Sequence, residues 1–201
     1  MAAASLDFYF DFSSPYSYFA AEKIDDLAGR FGRKVNWHPL LLGVVFQRLG
    51  TLPLVHQPGQ GVYAPHDMAR SARYLGIPFS MPSRFPLPTQ AAARAFYWLD
   101  GCDVGLAKRF AHVVFRAYYV DDCDISLPET VIEMAVGCGV DRGELVAALA
   151  TQVLKERLKQ ETEAAIARGI FGAPWVIVDG ESFWGADRLP QIERWLETGG
   201  Y

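Results

Sequence analysis

The amino-acid sequence predicts an α/β fold that is interrupted by a block of helices. Near the N-terminus a strand pattern, a helix pattern and a second strand pattern follow one another. Near the C-terminus two strand patterns joined by a tight turn precede a last helix. Between these two regions the apolar residues recur only at helical spacing. A parallel strand–helix–strand unit and a hairpin therefore frame a helical block.

The first strand is predicted from an alternating run over residues 6–12. Phe8, Phe10 and Phe12 fall on one face, and the residues between them fall on the other. Alternation with period two is typical of a strand that is buried on one side.

A helix is predicted to begin directly after this strand, at Ser14 and Pro15. Serine caps helices, and proline suits the first helical position because it has no N–H. The pattern ends at glycines near 29–32, and residues 34–42 predict a second strand. The amides of a helix N-terminus carry partial positive charge, so the Ser14 end can hold an anion. The alternative is that Ser14 only caps the helix.

The middle of the chain is predicted to be helical between irregular segments. Residues 43–65 are rich in glycine and proline and predict a long irregular loop. A capping-box spacing at Ser126 and Glu129 opens one of the helices, and the last of them is expected to break near Thr151. Prolines exclude a regular element over 77–88. The predicted helical segments are about 66–76, 89–100, 104–119, 127–137 and 141–168.

The C-terminal region predicts a hairpin and a last helix. Residues 171–184 predict two strands joined by a turn at Asp179-Gly180. A helix is predicted to follow over about 187–197. This order of elements is typical of a thioredoxin-like fold with an inserted all-helical domain. The predicted domains are 5–64 with 168–201 for the thioredoxin-like part, and 65–167 for the helical insertion.

The composition excludes several classes of protein. A net charge of −4 offers no basic surface for nucleic acid or an anionic membrane. No apolar run approaches the ~18 residues of a transmembrane helix, and the first residues lack the features of a signal peptide. The 3 cysteines form no C-x-x-C pair, which favours a reducing, cytoplasmic location. The 4 histidines show no ligand spacing, so no metal site is expected.

Three motifs resemble those of 2-hydroxychromene-2-carboxylate isomerases. This family belongs with the kappa-class glutathione transferases and is related to the DsbA-like oxidoreductases. The resemblance spans nearly the whole chain, and the motifs occur in the family's order. They read Phe8-x-Phe10-Asp11-x-Ser13-Ser14-Pro15-Tyr16-Ser17-Tyr18, Gly169-x-Phe171-Gly172-Ala173-Pro174 and Phe183-Trp184-Gly185-x-Asp187-Arg188-Leu189.

The resemblance implies that the chain binds glutathione and that Ser14 is the catalytic residue. Ser14 stands where thiol oxidoreductases carry a cysteine. A serine cannot exchange disulfides, so Ser14 would instead donate a hydrogen bond to the glutathione thiolate. The backbone of Ala173 would pair with the peptide part of glutathione, beside a cis bond to Pro174.

The third motif would hold the γ-glutamyl end of glutathione. The resemblance implies backbone amides for its carboxylate and the Asp187 side chain for its ammonium. The alternative for Asp187 is the N-cap of the last helix. The residues implied in this contact are Trp184, Gly185, Ala186 and Asp187.

The long loop is where the chain departs from the family. Kappa-class relatives carry Asn near the position of Thr51 and Lys at the position of Gln60. The isomerases carry Lys close to Val45 or Phe46, where only Arg48 is basic nearby. By position, Thr51 and Gln60 are implied in cofactor binding, and Val45 and Phe46 in substrate binding. The charged contacts of the family are absent from all these positions.

The implied activity is the glutathione-dependent interconversion of 2-hydroxychromene-2-carboxylate and trans-o-hydroxybenzylidenepyruvate, or of a related enone in aromatic hydrocarbon catabolism. Reversible addition of a thiolate makes the conjugated double bond single, and rotation becomes possible. The small-molecule substrate is aromatic, so an apolar slot is expected. The aromatic residues proposed for it, each of which also suits a core, are Phe12, Tyr16, Phe46 and Trp175. Relatives are commonly homodimers, and a homodimer is expected here.

Two alternatives remain open at this point. One is a kappa-class-like glutathione transferase or peroxidase, which would consume glutathione where an isomerase recycles it. The other is a non-catalytic thioredoxin-fold binding module, which the loss of the charged loop contacts suggests. Arg84 and Arg94 are further candidates for a carboxylate contact.

Overall fold

The structure, a computed structural model, describes residues 5–201. Its strands are Leu6–Phe10 (β1), Val35–Pro39 (β2), Trp175–Val178 (β3) and Glu181–Trp184 (β4). Its helices are Pro15–Arg30 (α1), Leu42–Leu49 (α2), Gln60–Leu75 (α3), Gln90–Cys102 (α4), Val104–Tyr119 (α5), Pro128–Gly137 (α6), Arg142–Ala150 (α7), Gln152–Ala167 (α8) and Leu189–Thr198 (α9). Short 3₁₀ turns occupy Leu54–His56 and Ala186–Arg188. Within residues 5–201 no helix is long and apolar enough to cross a membrane.

The sheet confirms the predicted α/β class and the thioredoxin-like order of elements. Its strand order is β2-β1-β3-β4, with β1 parallel to β2 and antiparallel to β3, and β3 antiparallel to β4. Pro39 lies in edge strand β2, where its missing N–H interrupts no ladder on the outer side. The hairpin turns at Asp179 and Gly180, whose φ values of 52° and 90° suit the primed turn that the sequence predicts.

One continuous core joins the sheet to the helical block. Phe8 and Phe10 are fully buried and stack at 5.3 Å between ring centroids. Phe10 also contacts Phe96 of α4 and Phe115 of α5 edge-on or tilted, at 5.6 and 5.7 Å. The inward face of β1 therefore holds the insertion against the sheet. The predicted domain division stays a prediction, and its boundary after residue 64 falls inside α3.

The prediction of an irregular loop over residues 43–65 is wrong. Helix α2 occupies its first part, a 3₁₀ turn its middle, and α3 begins at Gln60 rather than near residue 66. Gly50 ends α2 in the left-handed conformation with φ 66°. Pro65 lies inside α3, where it removes only one main-chain hydrogen bond near the start of the helix. The glycines and prolines of this segment thus delimit helices instead of excluding them.

The predicted capping box is also wrong. Helix α6 begins at Pro128 after Leu127, which makes no side-chain capping bond. Ser126 instead donates its hydroxyl to Asp124 Oδ1 at 2.5 Å. The break near Thr151 is confirmed, since that residue separates α7 from α8.

Two helical glycines should respond to alanine in opposite directions. A Cβ on Gly61 would stand 2.5 Å from the backbone oxygen of Val55, so Gly61→Ala forces two main-chain segments apart. We expect it to lower the free energy of unfolding by roughly 1–3 kcal/mol. On Gly29 the same position lies in open space, since within residues 5–201 only the adjoining backbone of its own helix comes within 4 Å. Gly29→Ala should therefore raise the free energy of unfolding by about 0.5–1 kcal/mol. Denaturant unfolding of both variants checks the opposite signs.

Glu22 on α1 should make stability depend on pH in the acid range. Burial raises the pKa of Glu22, but hydrogen bonds from His112 and Arg116 of α5, at 2.9 and 2.6 Å, outweigh it and hold the pKa at about 2. Because the folded pKa lies below the ordinary 4.5, the stabilisation is present above pH ~4.5 and is lost as the pH falls towards 2. Its full size is up to about 3 kcal/mol. Unfolding midpoints of wild type and Glu22→Gln between pH 2 and 7 should converge at the acid end, and parallel curves would contradict this.

Candidate active site

A cleft of about 1600 Å³ opens where β1 meets α1. Helices α1, α2 and α3 form part of its wall, together with residues of the segments 51–57, 85–90, 171–174 and 184–190. Small-molecule sites commonly measure roughly 300–1,000 Å³. This cleft therefore has room for two small molecules side by side.

Ser14 lines this cleft and is 5% exposed. Its Oγ caps α1 by accepting a hydrogen bond from the Ser17 amide at 3.2 Å. The same hydroxyl donates to the backbone oxygen of Ala173 at 3.1 Å. No acidic residue occupies the first turn of α1, so its positive end is not neutralised by its own helix. Ser14 is thus both a cap and a hydroxyl donor facing a second segment.

That second segment is the turn that leads into β3. The peptide bond between Ala173 and Pro174 is cis, as predicted. The oxygen of Pro174 accepts from the Gly185 amide at 3.0 Å, which ties this turn to the end of β4. The backbone of Ala173 therefore faces Ser14 from a turn that two neighbouring elements hold in place.

Two glycines allow side chains to pack directly against the backbone at this wall of the cleft. A Cβ on Gly172 would lie 2.6 Å from Trp184 Nε1, so the indole packs directly on the backbone. Gly185 has φ 110° and ψ 149°, a conformation that essentially only glycine adopts. The indole of Trp184 is about half exposed and meets the ring of Phe171 edge-on at 4.7 Å.

Asp187 projects from the 3₁₀ turn after Gly185, and its side chain is 72% exposed. Helix α9 begins at Leu189, and its capping residue is Arg188, with no side-chain capping bond. The alternative role of Asp187 as the N-cap of the last helix is therefore wrong. Its carboxylate lies 3.5 Å from the Arg188 guanidinium and remains free to meet a further cation.

The structure brings nearly all the predicted site residues to one cleft. Val45 is the exception, because it is fully buried in a cluster with Tyr9 and Leu40 and does not line the cleft. A ligand in the cleft therefore meets Phe46 and not Val45. The predicted residues that line the cleft are Ser14, Phe46, Thr51, Gln60, Ala173, Pro174, Trp184, Gly185, Ala186 and Asp187.

Only part of the predicted aromatic slot is present. Tyr16 and Phe46 line the cleft, whereas Phe12 and Trp175 are buried in the core. Tyr16 donates its hydroxyl to Asp67 Oδ2 of α3 at 2.7 Å. Burial and the neighbouring Asp67 carboxylate raise the pKa of Tyr16, so the phenol keeps its proton.

A buried carboxylate that sequence reasoning missed lies beside Ser14. Asp11 is 2% exposed, and its side chain accepts hydrogen bonds from Ser13, Leu42 and Thr89. Burial raises the pKa of Asp11, and these hydrogen bonds oppose that shift. Strand alternation assigns Asp11 to the outer face with Asp7, but β1 ends at Phe10 and the chain turns inwards there.

The cations and several uncharged amides of the cleft lining come from different segments of the chain. Its cations, Lys23, Arg30 and Arg188, come from α1 and from residues 184–190. The side formed by α2 and the following turn offers glutamines instead, namely Gln47, Gln57 and Gln60. Arg48, the basic residue nearest the family's lysine positions, does not line the cleft.

The groups considered for other chemistry lie elsewhere. The free cysteines Cys102, Cys123 and Cys138 are absent from the described cleft lining, so these residues place no thiol beside Ser14. Arg84 pairs with Asp124, and neither Arg84 nor Arg94 lines the cleft. Within residues 5–201 no three His, Cys, Asp or Glu side chains cluster as metal ligands do.

Comparison with known proteins identifies relatives along nearly the whole chain. The profile of the DSBA-like thioredoxin domain matches residues 5–197. A 2-hydroxychromene-2-carboxylate isomerase of Pseudomonas putida is 29% identical over 190 residues, 94% of this chain and 92% of its own. The glutathione S-transferase kappa 2 of Caenorhabditis elegans is 31% identical over 203 residues, 94% of this chain and 90% of its own. A solved 2-hydroxychromene-2-carboxylate isomerase superposes with a TM-score of 0.85 at 29% identity, covering 96% of this chain and 94% of that one.

Proposed function

This chain belongs to the DsbA-like thioredoxin-domain family, and we propose that it is a glutathione-dependent isomerase of an aromatic enone. The substrate pair we propose is 2-hydroxychromene-2-carboxylate and trans-o-hydroxybenzylidenepyruvate, or a close analogue. One observation carries the proposal: a serine hydroxyl at a helix N-terminus faces the backbone of Ala173 in a cleft whose described lining holds no cysteine. The names of the relatives support isomerase chemistry.

The shape of the cleft fits glutathione beside Ser14. Gly172 and Gly185 let the Trp184 indole and the Asp187 carboxylate pack directly against the backbone of the wall that Ala173 shares, and an extended peptide would pair with the Ala173 backbone there. Beyond Gly185, the exposed Asp187 carboxylate suits the ammonium of the γ-glutamyl end. The glycyl carboxylate would meet Thr51 and Gln60, which carry no charge. We therefore expect weaker binding at the glycyl end than a lysine would provide.

Glutathione, when bound, supplies a thiolate that adds reversibly to a conjugated carbon. Ser14 would stabilise this anion, together with the positive end of α1. Its hydroxyl proton is directed at the Ala173 oxygen. That oxygen is also the acceptor we propose for the cysteinyl N–H of glutathione. When the Ser14 hydroxyl turns its proton to the sulfur, the peptide N–H would keep this oxygen hydrogen-bonded, so peptide binding and thiolate stabilisation would be coupled.

The rest of the cleft suits the aromatic substrate. Phe46 and the ring of Tyr16 offer apolar surface to an aromatic substrate. The single phenolic proton of Tyr16 is donated to Asp67 of α3 at 2.7 Å, which fixes the orientation of the ring at the start of α1.

Kappa-class transferase activity is a second candidate, favoured by the 31% identity to the Caenorhabditis elegans protein. The two activities differ in stoichiometry. Conjugation removes one glutathione per turnover, and isomerisation returns it. Counting free thiol before and after complete conversion of hydroxybenzylidenepyruvate distinguishes the two.

Titration calorimetry with glutathione, followed by an isomerase assay with and without it, tests the proposal. We expect binding at micromolar to millimolar concentration and turnover only when glutathione is present. Undetectable binding at millimolar glutathione would exclude both enzymatic functions and leave a non-catalytic binding module. Equal turnover without glutathione would exclude the thiolate mechanism.

A further inference from the structure

We propose that Asp11 is a positioning residue. It holds helix α2, which carries Phe46, in place against the turn of residues 11–14 (the Ser14 turn). The proposal rests on the function proposed above. It is carried by the hydrogen bonds of one buried carboxylate, which join three segments distant in sequence. The groups it binds belong to Ser13 in the turn after β1, to Leu42 at the start of α2 and to Thr89 before α4.

Both oxygens of Asp11 are occupied by donors. Oδ1 accepts from the Ser13 amide at 2.8 Å, the Ser13 hydroxyl at 3.1 Å and the Thr89 hydroxyl at 2.9 Å. Oδ2 accepts from the Leu42 amide at 2.7 Å. A carboxylate offers about four acceptor sites, so these donors saturate it. The ionised form is therefore the one that this pocket of donors suits.

The bond to Leu42 replaces a missing helix cap. Leu42 is the first residue of α2, and the preceding Leu41 has no side chain that can cap it. No acidic residue lies in the first turn of α2. Asp11 therefore supplies, from the end of β1, the anion that this helix N-terminus lacks.

The Ser14 turn itself does not depend on this bond. The Ser14 amide is held by the Asp11 backbone oxygen at 3.0 Å, and the hydroxyl contacts Ser17 and Ala173. Removing the Asp11 charge should therefore release α2 and leave the Ser14 donor in place. This separates the role of Asp11 from that of Ser14.

Asp11→Asn is the decisive change, because the amide has one acceptor atom and one donor atom. Its oxygen takes the side where Ser13 and Thr89 donate, and its NH₂ group then faces the Leu42 N–H. Two donors cannot bond, and a buried amide is left without a partner. We expect amide hydrogen exchange over residues 42–49 of the ligand-free protein to accelerate at least about tenfold, with the first turn of α1 unchanged.

The kinetic consequence is a separation of KM from kcat. Since α2 lines the cleft through Phe46, we expect Asp11→Asn to raise the KM for the enone about tenfold. The kcat should stay within about twofold of the wild-type value. The thiol pKa of bound glutathione, read from thiolate absorbance, should stay within about a few tenths of a unit of the wild-type value. Tyr97→Phe is the matched control, because it removes a buried hydrogen bond, to the Pro39 oxygen at 2.7 Å, outside the cleft. Tyr97→Phe should leave both the amide exchange over residues 42–49 and the KM for the enone unchanged.

A second substitution tests the cause directly. Proline suits the first position of a helix and has no N–H, and Leu41 already has the extended backbone that must precede it. Leu42→Pro in the Asp11→Asn background removes the opposing donor, so it should restore most of the protection over α2. Unchanged exchange in Asp11→Asn, or no recovery in the double variant, overturns the proposal. The exchange readout needs no glutathione, so it stands or falls separately from the proposed function.

Discussion

Ser14→Ala should slow isomerisation by about tenfold to a thousandfold, the range found when one good hydrogen-bond donor to a developing anion is removed. The Ser14 hydroxyl is the side-chain donor at the start of α1 that faces Ala173. Without it the sulfur of bound glutathione keeps only the helix amides, so its thiol pKa should rise. Thiolate absorbance of the complex as a function of pH, together with kcat at saturating substrate, measures both effects.

The same substitution also removes a helix cap, and this smaller effect needs a control. Loss of the bond from the Ser17 amide should lower the free energy of unfolding by about 1 kcal/mol. Asp103→Ala removes a comparable cap, on α5, where Asp103 accepts from the Leu106 amide at 2.8 Å and does not line the cleft. It should lose similar stability and keep full activity. If Ser14→Ala behaved like Asp103→Ala, Ser14 would be a cap and no more.

The ends of the chain could be predicted from sequence because their signals are local. Alternating phenylalanines define β1, and Asp179-Gly180 forces the hairpin turn by its backbone preference. Helix α5 in the middle of the chain is likewise predicted over its observed length, since its apolar residues recur at helical spacing. Each of these features depends on neighbours within a few residues.

Helix α2 could not be predicted so easily, because contacts from distant segments stabilise it. Its residues include glycine and two valines, which are poor helix formers. Asp11 caps it from the end of β1, and Thr162 of α8 accepts from the Leu41 amide at 3.3 Å. A local signal did exist, since Leu42, Val45 and Leu49 fall at helical spacing and Gly50 follows as a stop.

The site shows the same division between local and distant causes. Ser14, the cis bond at Pro174 and Gly185 are each marked by a motif that reads in sequence. Asp11 is not, because strand alternation places it on the exposed side, and only the turn after Phe10 buries it. The contact between Tyr16 and Asp67 joins α1 to α3 and has no sequence signal at all.

Gly185→Ala should weaken glutathione binding at least about tenfold, because this residue sets the backbone that follows it. Its φ of 110° and ψ of 149° strain any residue with a Cβ, at a cost of roughly 1–3 kcal/mol. The added Cβ would also strike the Asp187 carboxylate, which must then turn away. The variant therefore disturbs both groups proposed for the γ-glutamyl end, the amides after Gly185 and the Asp187 side chain. Calorimetry with glutathione measures the loss.

Gly180→Ala separates that effect from backbone strain alone. Gly180 also has positive φ, 90°, but it lies in the hairpin turn outside the cleft, and its Cβ position is free of neighbours within 4 Å. Both variants should lose roughly 1–3 kcal/mol of stability, since both force a residue with a Cβ into a backbone conformation with positive φ. Only Gly185→Ala should lose affinity for glutathione, and Ser14-dependent thiolate formation should persist at saturating glutathione. Equal affinities for the two variants would mean that the γ-glutamyl end does not bind beside Gly185.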